Sequence, residues 1–182
     1  MNPTTSSDTG STTPGFRYYP VDQAIDIIRT IAEHRWPMTV EEAFSLRDQF
    51  GWTPAPDDGR FFVTPVSNGE EDGTISIDRE NRVYISGIDF NLTSQLPKDA
   101  DPDIQSEMRS VYSRYVEALT RRYGTGEARF SSDVDGVLWY LPSRASVDIG
   151  VTHRSISVAI ESPAMTDLTE AEEKYFAEGG EL

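Results

Sequence analysis

Residues 101–123, DPDIQSEMRSVYSRYVEALTRRY, predict the longest helix of the chain. Asp101 can accept backbone N–H bonds as an N-cap, and Pro102 suits the first helical position, where a missing N–H costs no hydrogen bond. Apolar residues recur every three or four positions and form one stripe: Ile104, Met108, Val111, Tyr115, Ala118 and Leu119. Because the flanking sequence is mostly typical of β-strands, we expect this helix to cover a sheet.

Two shorter helices are predicted near the N-terminus. The first begins at Pro20, carries an apolar stripe and ends before Pro37, because the residue before a proline disfavours helical angles. The second begins at Thr39, which has capping-box spacing to Glu42, and ends at Gly51. Since a few residues join them and each has one apolar face, we expect the two helices to form a helical hairpin.

The other segments alternate between apolar and polar residues, as half-buried strands do. In the longest of them the alternation changes phase, with Val83 and Ile85 on one parity and Ile88 and Phe90 on the other. A one-residue shift exchanges the two faces of a strand, so we expect a β-bulge at Gly87. The predicted strands cover residues 60–66, 74–78, 82–93, 128–131, 137–141, 145–151 and 156–160.

The predicted fold class is α+β. We expect a mostly antiparallel sheet, because the connections between strands are too short for parallel crossovers. The long central helix covers this sheet, with the helical hairpin at the N-terminus. A short helix lies at the C-terminus, in the segment from Met165, where Thr169 and Glu172 have capping-box spacing. Residues 1–16 are predicted as a disordered polar tail, 17–178 as a single domain and 179–182 as a disordered end.

The chain is strongly acidic, with a formal net charge of -15 and no cysteine in 182 residues. Such a surface repels nucleic-acid phosphates and anionic lipids and favours a basic protein as partner. The N-terminus lacks the features of a secretory signal, and no segment has the ~18 apolar residues of a membrane span. The absence of cysteine is typical of a reducing compartment, so we expect a cytoplasmic protein. The oligomeric state stays open.

No pattern in the sequence indicates catalysis or a metal site. His34 and His153 have no further ligand at metal-binding spacing. Residues 99–103 imitate the start of a calcium loop, but Ile104 stands where the loop needs glycine and Ser110 where it needs a bidentate glutamate. We therefore expect no catalytic residues, no metal and no cofactor.

Acidic loops between the strands and large aromatic side chains near turns indicate a binding surface instead. A negative patch with aromatic anchors is what tight binding of a basic partner requires. For the tryptophans, burial in the core is the alternative. The predicted partner-binding residues are Trp52, Asp57, Asp58, Glu70, Glu71 and Asp72.

Several short segments carry a resemblance to known proteins: RDQFGWTP at 47–54, DGTISI at 72–77, LPSRAS at 141–146 and ESPAMT at 161–166. They resemble an uncharacterised family of small acidic proteins from actinobacteria, over about residues 17–176, and imply no catalytic residues. In size and acidity the chain also resembles immunity proteins of polymorphic-toxin systems, which bind and block a secreted toxin. The order of elements is similar to that of small type III secretion chaperones.

Three hypotheses follow. The leading one is a non-enzymatic immunity-type inhibitor that occludes a basic toxin or effector. A secretion or folding chaperone is the alternative, which predicts an exposed apolar groove or a dimer. An enzyme of unknown chemistry is the third, which predicts a concave pocket that contains a carboxylate of perturbed pKa.

Overall fold

The computed structural model describes residues 16–181, and these form four helices and eight strands. The helices are α1 (Val21–Ala32), α2 (Val40–Gln49), α3 (Pro102–Tyr123) and α4 (Pro163–Ala177). The strands are β1 (Thr53–Pro54), β2 (Phe61–Val63), β3 (Gly73–Ile77), β4 (Ile85–Asn91), β5 (Glu127–Phe130), β6 (Asp135–Tyr140), β7 (Ser146–Val151) and β8 (Ile156–Glu161). No helix in this part of the chain is both long and apolar enough to cross a membrane.

The predicted ends of the domain need two changes. Most of the predicted tail lies outside the described residues, but Phe16 is 1% exposed and its ring packs against Tyr18, so the domain includes it. At the other end, the Tyr175 hydroxyl donates a hydrogen bond to the Glu181 carbonyl at 3.0 Å. Residues 179–181 are thus held against α4, whereas Leu182 lies outside the described residues.

All eight strands join one antiparallel sheet in the order β1-β2-β3-β4-β8-β7-β6-β5. The predicted α+β class and the antiparallel pairing are confirmed. The two-residue strand β1 was not predicted, because Thr53 and Pro54 lie in a proline-rich segment that is typical of a turn. In the centre of the sheet β8 lies between β4 and β7, so β4 reaches its neighbour across a long stretch of sequence.

Helices α1 and α3 pack against each other and together cover one face of the sheet at β7 and β8. The predicted N-cap of α3 is confirmed, since Asp101 accepts the Asp103 N–H at 2.8 Å. In the middle of α3 the Tyr115 hydroxyl donates to the Tyr19 carbonyl at 2.5 Å and ties the helix to the segment before α1. The buried side of α3 consists of Met108, Val111, Tyr115 and Leu119.

The predicted helical hairpin is wrong, because α1 packs against α3 and the sheet, whereas α2 packs against β1. The predicted capping box of α2 is nevertheless present, with the Thr39 hydroxyl accepting the Glu42 N–H at 3.1 Å. Both helices have an apolar face, and each buries that face against a different part of the sheet. An apolar face shows that a helix is buried but does not show its neighbour.

The predicted bulge in β4 is confirmed. Ser76 of β3 pairs with Gly87, but the next residue, Ile77, pairs with Ile85, so Ser86 is the extra residue. The bulge brings Ile85 and Ile88 to the same buried face although they are three residues apart. Gly87 itself has no room for a side chain, because a Cβ there would lie 2.7 Å from the Ile160 carbonyl oxygen of β8.

Gly87→Ala should therefore destabilise the protein. The new methyl group forces β4 and β8 apart at the bulge, and overpacking of this kind costs about 1–3 kcal/mol of unfolding free energy. Urea unfolding followed by circular dichroism measures the change. Ser76→Ala, at the exposed position that pairs with Gly87, is the matched control and should change the unfolding free energy by less than ~0.5 kcal/mol. Equal stability of Gly87→Ala and the wild type would show that the strands can shift freely.

Candidate functional site

Trp52 lies in the core and is 3% exposed, so the prediction that it is a surface anchor is wrong. Its ring stacks on Phe62 with 4.6 Å between centroids and packs against Phe90 of β4. Its Nε1–H donates to the Tyr19 hydroxyl at 3.0 Å. The indole thus has both its apolar surface and its polar atom satisfied inside the protein. Trp139 is buried as well, with its Nε1–H donating to the Gly124 carbonyl at 2.8 Å.

The acidic pair before β2 is partly neutralised within the chain. Asp57 is exposed, but the Asp58 carboxylate accepts a hydrogen bond from Arg60 Nε at 2.9 Å and another from the Arg60 backbone N–H at 3.0 Å. These bonds to Arg60 lower the pKa of Asp58 to about 2. Asp58 is therefore largely occupied by Arg60, and of this pair Asp57 is the carboxylate that stays open to a partner.

In the acidic loop before β3, too, some carboxylates are open to solvent and one is hydrogen-bonded within the protein. Glu70 and Glu71 are exposed, as predicted for a solvated loop. Asp72 instead turns toward the sheet and accepts hydrogen bonds from the Ser67 hydroxyl at 2.6 Å and from Asn91 Nδ2 at 2.9 Å. Burial raises the pKa of Asp72, while these two hydrogen bonds lower it. Asp72 therefore lies close enough to Asp89 of β4 for its charge to act on that residue.

The sheet face that α1 and α3 leave uncovered carries the main concentration of charge. We call this surface the open face. Along each strand, every second side chain points into the core, and the side chains between them point to the open face. Cross-strand pairing places Asp89 of β4, Ala159 of β8 and Asp148 of β7 in one row. Residues of the open face on the central and outer strands are Asp89, Asn91, Glu127, Arg129, Leu138, Tyr140, Ser146, Asp148, Ser157, Ala159 and Glu161.

Three carboxylates, those of Asp89, Asp148 and Glu161, lie around the small side chain of Ala159 on the open face. Adjacent strands lie about 4.8 Å apart, so Asp89 and Asp148 are separated by roughly 10 Å across Ala159. Glu161 is diagonal to both, at the roughly 7–8 Å that such neighbours have in a sheet. Together with Asp72, which the Asn91 amide connects to β4, these residues form the carboxylate cluster.

Burial disfavours the charge of each carboxylate in the cluster, and neighbouring carboxylates of the cluster add to this effect at Asp89 and Glu161. Asp89 is exposed on one side, yet desolvation by the surrounding sheet, aided by the charges of Glu161 and Asp72, raises its pKa to about 6. Burial and the nearby Asp148 raise the pKa of Glu161. Burial also raises the pKa of Asp148, and the charge of Arg129 opposes both of these shifts. The cluster therefore carries negative charge that the protein itself only partly compensates.

A hollow of about 210 Å³ lies where the open face meets the start of α4. The helix is held there by Arg144, which pairs with Asp167 at 2.6 Å and with Glu170 at 2.7 Å. In addition the Thr166 hydroxyl donates to the Arg144 carbonyl at 2.6 Å. The hollow is lined by Arg129, Leu138, Tyr140, Ser146, Asp148, Glu161, Thr166 and Thr169.

The helix α4 begins earlier than predicted and presents an apolar surface to solvent. Ser162, not Thr169, is its N-cap, since the Ser162 hydroxyl accepts the Met165 N–H at 3.2 Å. Pro163, Met165 and Thr169 of this helix are partly buried, whereas residues 170–177 are all exposed. Leu168, Tyr175 and Phe176 are all about half exposed, and the residues next to them include Glu172 and Glu173.

Comparison with known proteins gives a family but no activity. Residues 22–162, well over half of the chain, match the Family of unknown function (DUF6301). The chain belongs to this family. None of the curated proteins and none of the solved structures matches it. The predicted membership of an uncharacterised family is thus confirmed, and the immunity-type role of this DUF6301 protein stays a prediction.

Of the carboxylate cluster, Asp72 was among the predicted partner-binding residues, but the other three members were missed because they are far apart in the sequence. Each of Asp89, Asp148 and Glu161 sits at the polar phase of an alternating strand, which is typical of ordinary solvent-facing residues. Only the strand order, with β8 between β4 and β7, brings the three together. The signal available in the sequence was that three central strands each place an acid at this phase.

In the described residues, no group of three or more His, Cys, Asp or Glu side chains is arranged to hold a metal ion.

The raised pKa of Asp89 predicts a pH-dependent stability. A carboxyl group with a pKa of about 6 when folded and ~3.9 when unfolded favours the folded state while protonated. This stabilisation is present below about pH 4 and is lost as the pH rises through about 6. Asp89→Asn cannot ionise, so we expect it to be more stable than the wild type above that range, with the difference shrinking toward about pH 4.

Urea unfolding of both proteins across this pH range measures the difference. Asp57→Asn, which removes an exposed carboxylate outside the cluster, is the control and should follow the wild type at every pH. A difference between Asp89→Asn and the wild type that stays constant with pH would contradict the assignment.

Proposed function

We propose that this protein is a non-enzymatic binding protein whose open face receives a basic segment of a partner protein, and that it acts as an immunity-type inhibitor of a toxin or effector. The observation that carries this proposal is the carboxylate cluster. Asp89, Asp148 and Glu161 share the sheet face that α1 and α3 leave uncovered, and each has a raised pKa.

A cation from a partner would relieve the repulsion within the cluster. An arginine or lysine side chain near Asp89 and Glu161 stabilises their ionised forms and brings their pKa values back toward the usual range. Arginine fits best, because its planar guanidinium can donate to two carboxylates at once. Ala159 and Ser157 are small, so the stem of such a side chain can lie close to the sheet between the acids.

Exposed aromatic side chains at the two sides of the open face support a protein partner. Tyr140 on β6 is 43% exposed and Phe61 on β2 is 40% exposed. Both lie on the same face as the cluster, since Tyr140 pairs with Ser146 and Phe61 pairs with Thr74. Aromatic anchors around a charged centre are typical of protein interfaces. They take over the role that the sequence analysis gave to Trp52.

The charge of the whole chain suits the same function. A net charge of -15 attracts a basic protein from a distance and raises the rate of encounter. The exposed acids Asp57, Glu70 and Glu71 add to this field, although they lie outside the cluster. In an immunity-type mechanism the bound toxin is inactive because its basic surface is covered.

An enzyme is the second candidate, because Asp148 and Glu161 have raised pKa values and line a hollow. General acid–base catalysis by a pair of carboxylates needs such shifts. The hollow of about 210 Å³, however, is smaller than the roughly 300–1,000 Å³ of most small-molecule sites. Asp89, whose pKa is raised to about 6, does not line it. Binding therefore ranks first.

The apolar side of α4 is the observation that favours a chaperone. Leu168, Tyr175 and Phe176 could receive an apolar segment of a client protein. This surface is carried by one helix and lacks the walls of a groove, so it supports the chaperone hypothesis less well than the cluster supports a basic partner.

Neutralising the cluster should weaken binding of a basic ligand. We expect the triple variant Asp89→Asn, Asp148→Asn, Glu161→Gln to bind an arginine-rich peptide at least ~10-fold more weakly than the wild type, since charged hydrogen bonds are lost. Isothermal titration calorimetry at fixed salt measures the affinity. The matched control is Glu172→Gln, Glu173→Gln, Glu178→Gln on α4, which removes the same charge from exposed positions.

The outcomes separate a site from general attraction. Binding that falls only in the cluster variant supports the open face, whereas an equal loss in both triple variants would contradict it. The immunity-type role is tested by co-purification with the product of the neighbouring gene at rising salt. Failure to bind that product even at low salt would contradict the immunity-type role. The peptide experiment would still decide whether the open face binds a basic segment.

A further inference from the structure

The two edge strands of the sheet differ in their capacity to pair with another strand. At the β1 edge, the Ala55 N–H donates to the Phe61 carbonyl at 2.8 Å, so Ala55 and Thr53 point their backbone groups toward β2. Pro54, between them, points outward. Because proline has no N–H, this edge cannot complete a ladder of hydrogen bonds with an added strand.

The β5 edge has no such block. The Ser131 N–H donates to the Val134 carbonyl at 3.0 Å, and hydrogen-bonded pairs alternate along an antiparallel ladder. Arg129 and Glu127 therefore bond to β6, whereas the N–H and C=O groups of Ala128 and Phe130 point outward. The hydrogen bonds of β6 are consistent with this orientation. The Leu141 N–H donates to the Ala145 carbonyl on the side of β7, so by alternation the backbone groups of Gly136 and Leu138 point toward β5. Every side chain of β5 is exposed, and Phe130 is 78% exposed.

The sequence of this edge, Glu-Ala-Arg-Phe at 127–130, is complementary to itself. We propose that β5 pairs antiparallel with β5 of a second copy of the chain, centred on Ala128, so that two sheets join into one. The two Ala128 residues then exchange both backbone hydrogen bonds. Glu127 lies directly opposite Arg129 of the second copy, and the two-fold axis repeats this ion pair.

The same register also determines what the exposed Phe130 side chain contacts in the second copy. It lies opposite Gly126 of the second copy, where an exposed aromatic ring can cover a residue without a side chain. A Cβ at Gly126 would lie 2.5 Å from Val137 Cγ1 and 2.8 Å from Trp139 Cε2, so these two side chains occupy the space beside the glycine. The Phe130 ring of the second copy would therefore meet an apolar surface.

The proposed dimer is weak, and its register fixes how the two sheets are oriented. A four-residue strand buries less than the roughly 1,200–2,000 Å² of a stable interface, so association should depend on concentration. Because the two-fold axis is perpendicular to the sheet, both open faces point to the same side. The pairing rests on the β5 edge alone and does not depend on what the open face binds.

A charge-swap experiment on the full chain tests the register. Sedimentation equilibrium should show the wild type passing from 20.3 kDa to twice that mass as concentration rises. Arg129→Glu places two glutamates opposite each other in each pair, and should weaken the dimer about 10-fold or more. Glu127→Arg should do the same. The double variant Glu127→Arg, Arg129→Glu restores both pairs and should return to within about 3-fold of the wild type.

Two further measurements keep the test decisive. Amide hydrogen exchange by NMR should show protection of the Ala128 N–H that rises with concentration, while the inward-facing Arg129 N–H stays unchanged. Phe176→Ser, on the apolar side of α4, should leave the dimer intact. A wild type that stays monomeric, a dimer indifferent to Arg129→Glu, or one abolished by Phe176→Ser would each overturn the proposal.

Discussion

One extra residue in β4, Ser86, decides which side chains point toward the helices and which point toward solvent. Before the bulge Ile85 faces the core, and after it Ile88 and Phe90 do. A regular strand would have turned Asp89 into the space beneath α1 and α3, where an unpaired carboxylate is very unfavourable. The bulge allows the core to close and at the same time places Asp89 on the open face. The helical layer and the acidic surface therefore depend on the same irregularity.

The layer of helices on one face of the sheet leaves the other face free to carry charge. In a sheet with helices on both faces, Asp148 and Glu161 would have to be replaced by apolar residues. Here they stay partly solvated, and burial, aided at Glu161 by the charge of Asp148, raises their pKa values, so their ionised forms reduce the stability of the folded state. Surfaces that lower stability without serving the core are common at functional sites. This relation makes the open face a better candidate than the acidic loops, whose charges are solvated or paired.

Local signals in the sequence were sufficient for much of the fold. The caps of α2 and α3, the bulge at Gly87 and the antiparallel pairing of consecutive strands each depend on residues close together in the chain. Some errors are local, such as the N-cap of α4 at Ser162, but the two that matter most for the site concern partners that are distant in sequence. Trp52 meets Phe62 and Phe90 only after β1, β2 and β4 have come together, so its sequence neighbours could not show that it is buried. The carboxylate cluster likewise exists only because β8 lies between β4 and β7, an order that no short segment encodes.

Pro54 at the outer edge of β1 also limits polymerisation. A sheet with two open edges can add copies at both ends and grow into a fibril. With Pro54 turned outward, growth at the β1 edge is blocked, and pairing at the β5 edge uses the single edge that remains. If two copies pair at β5 as proposed, both ends of the joined sheet are β1 edges, so the association closes after two copies. A residue that contributes little to the core thus leaves the sheet without a second edge suited to strand addition.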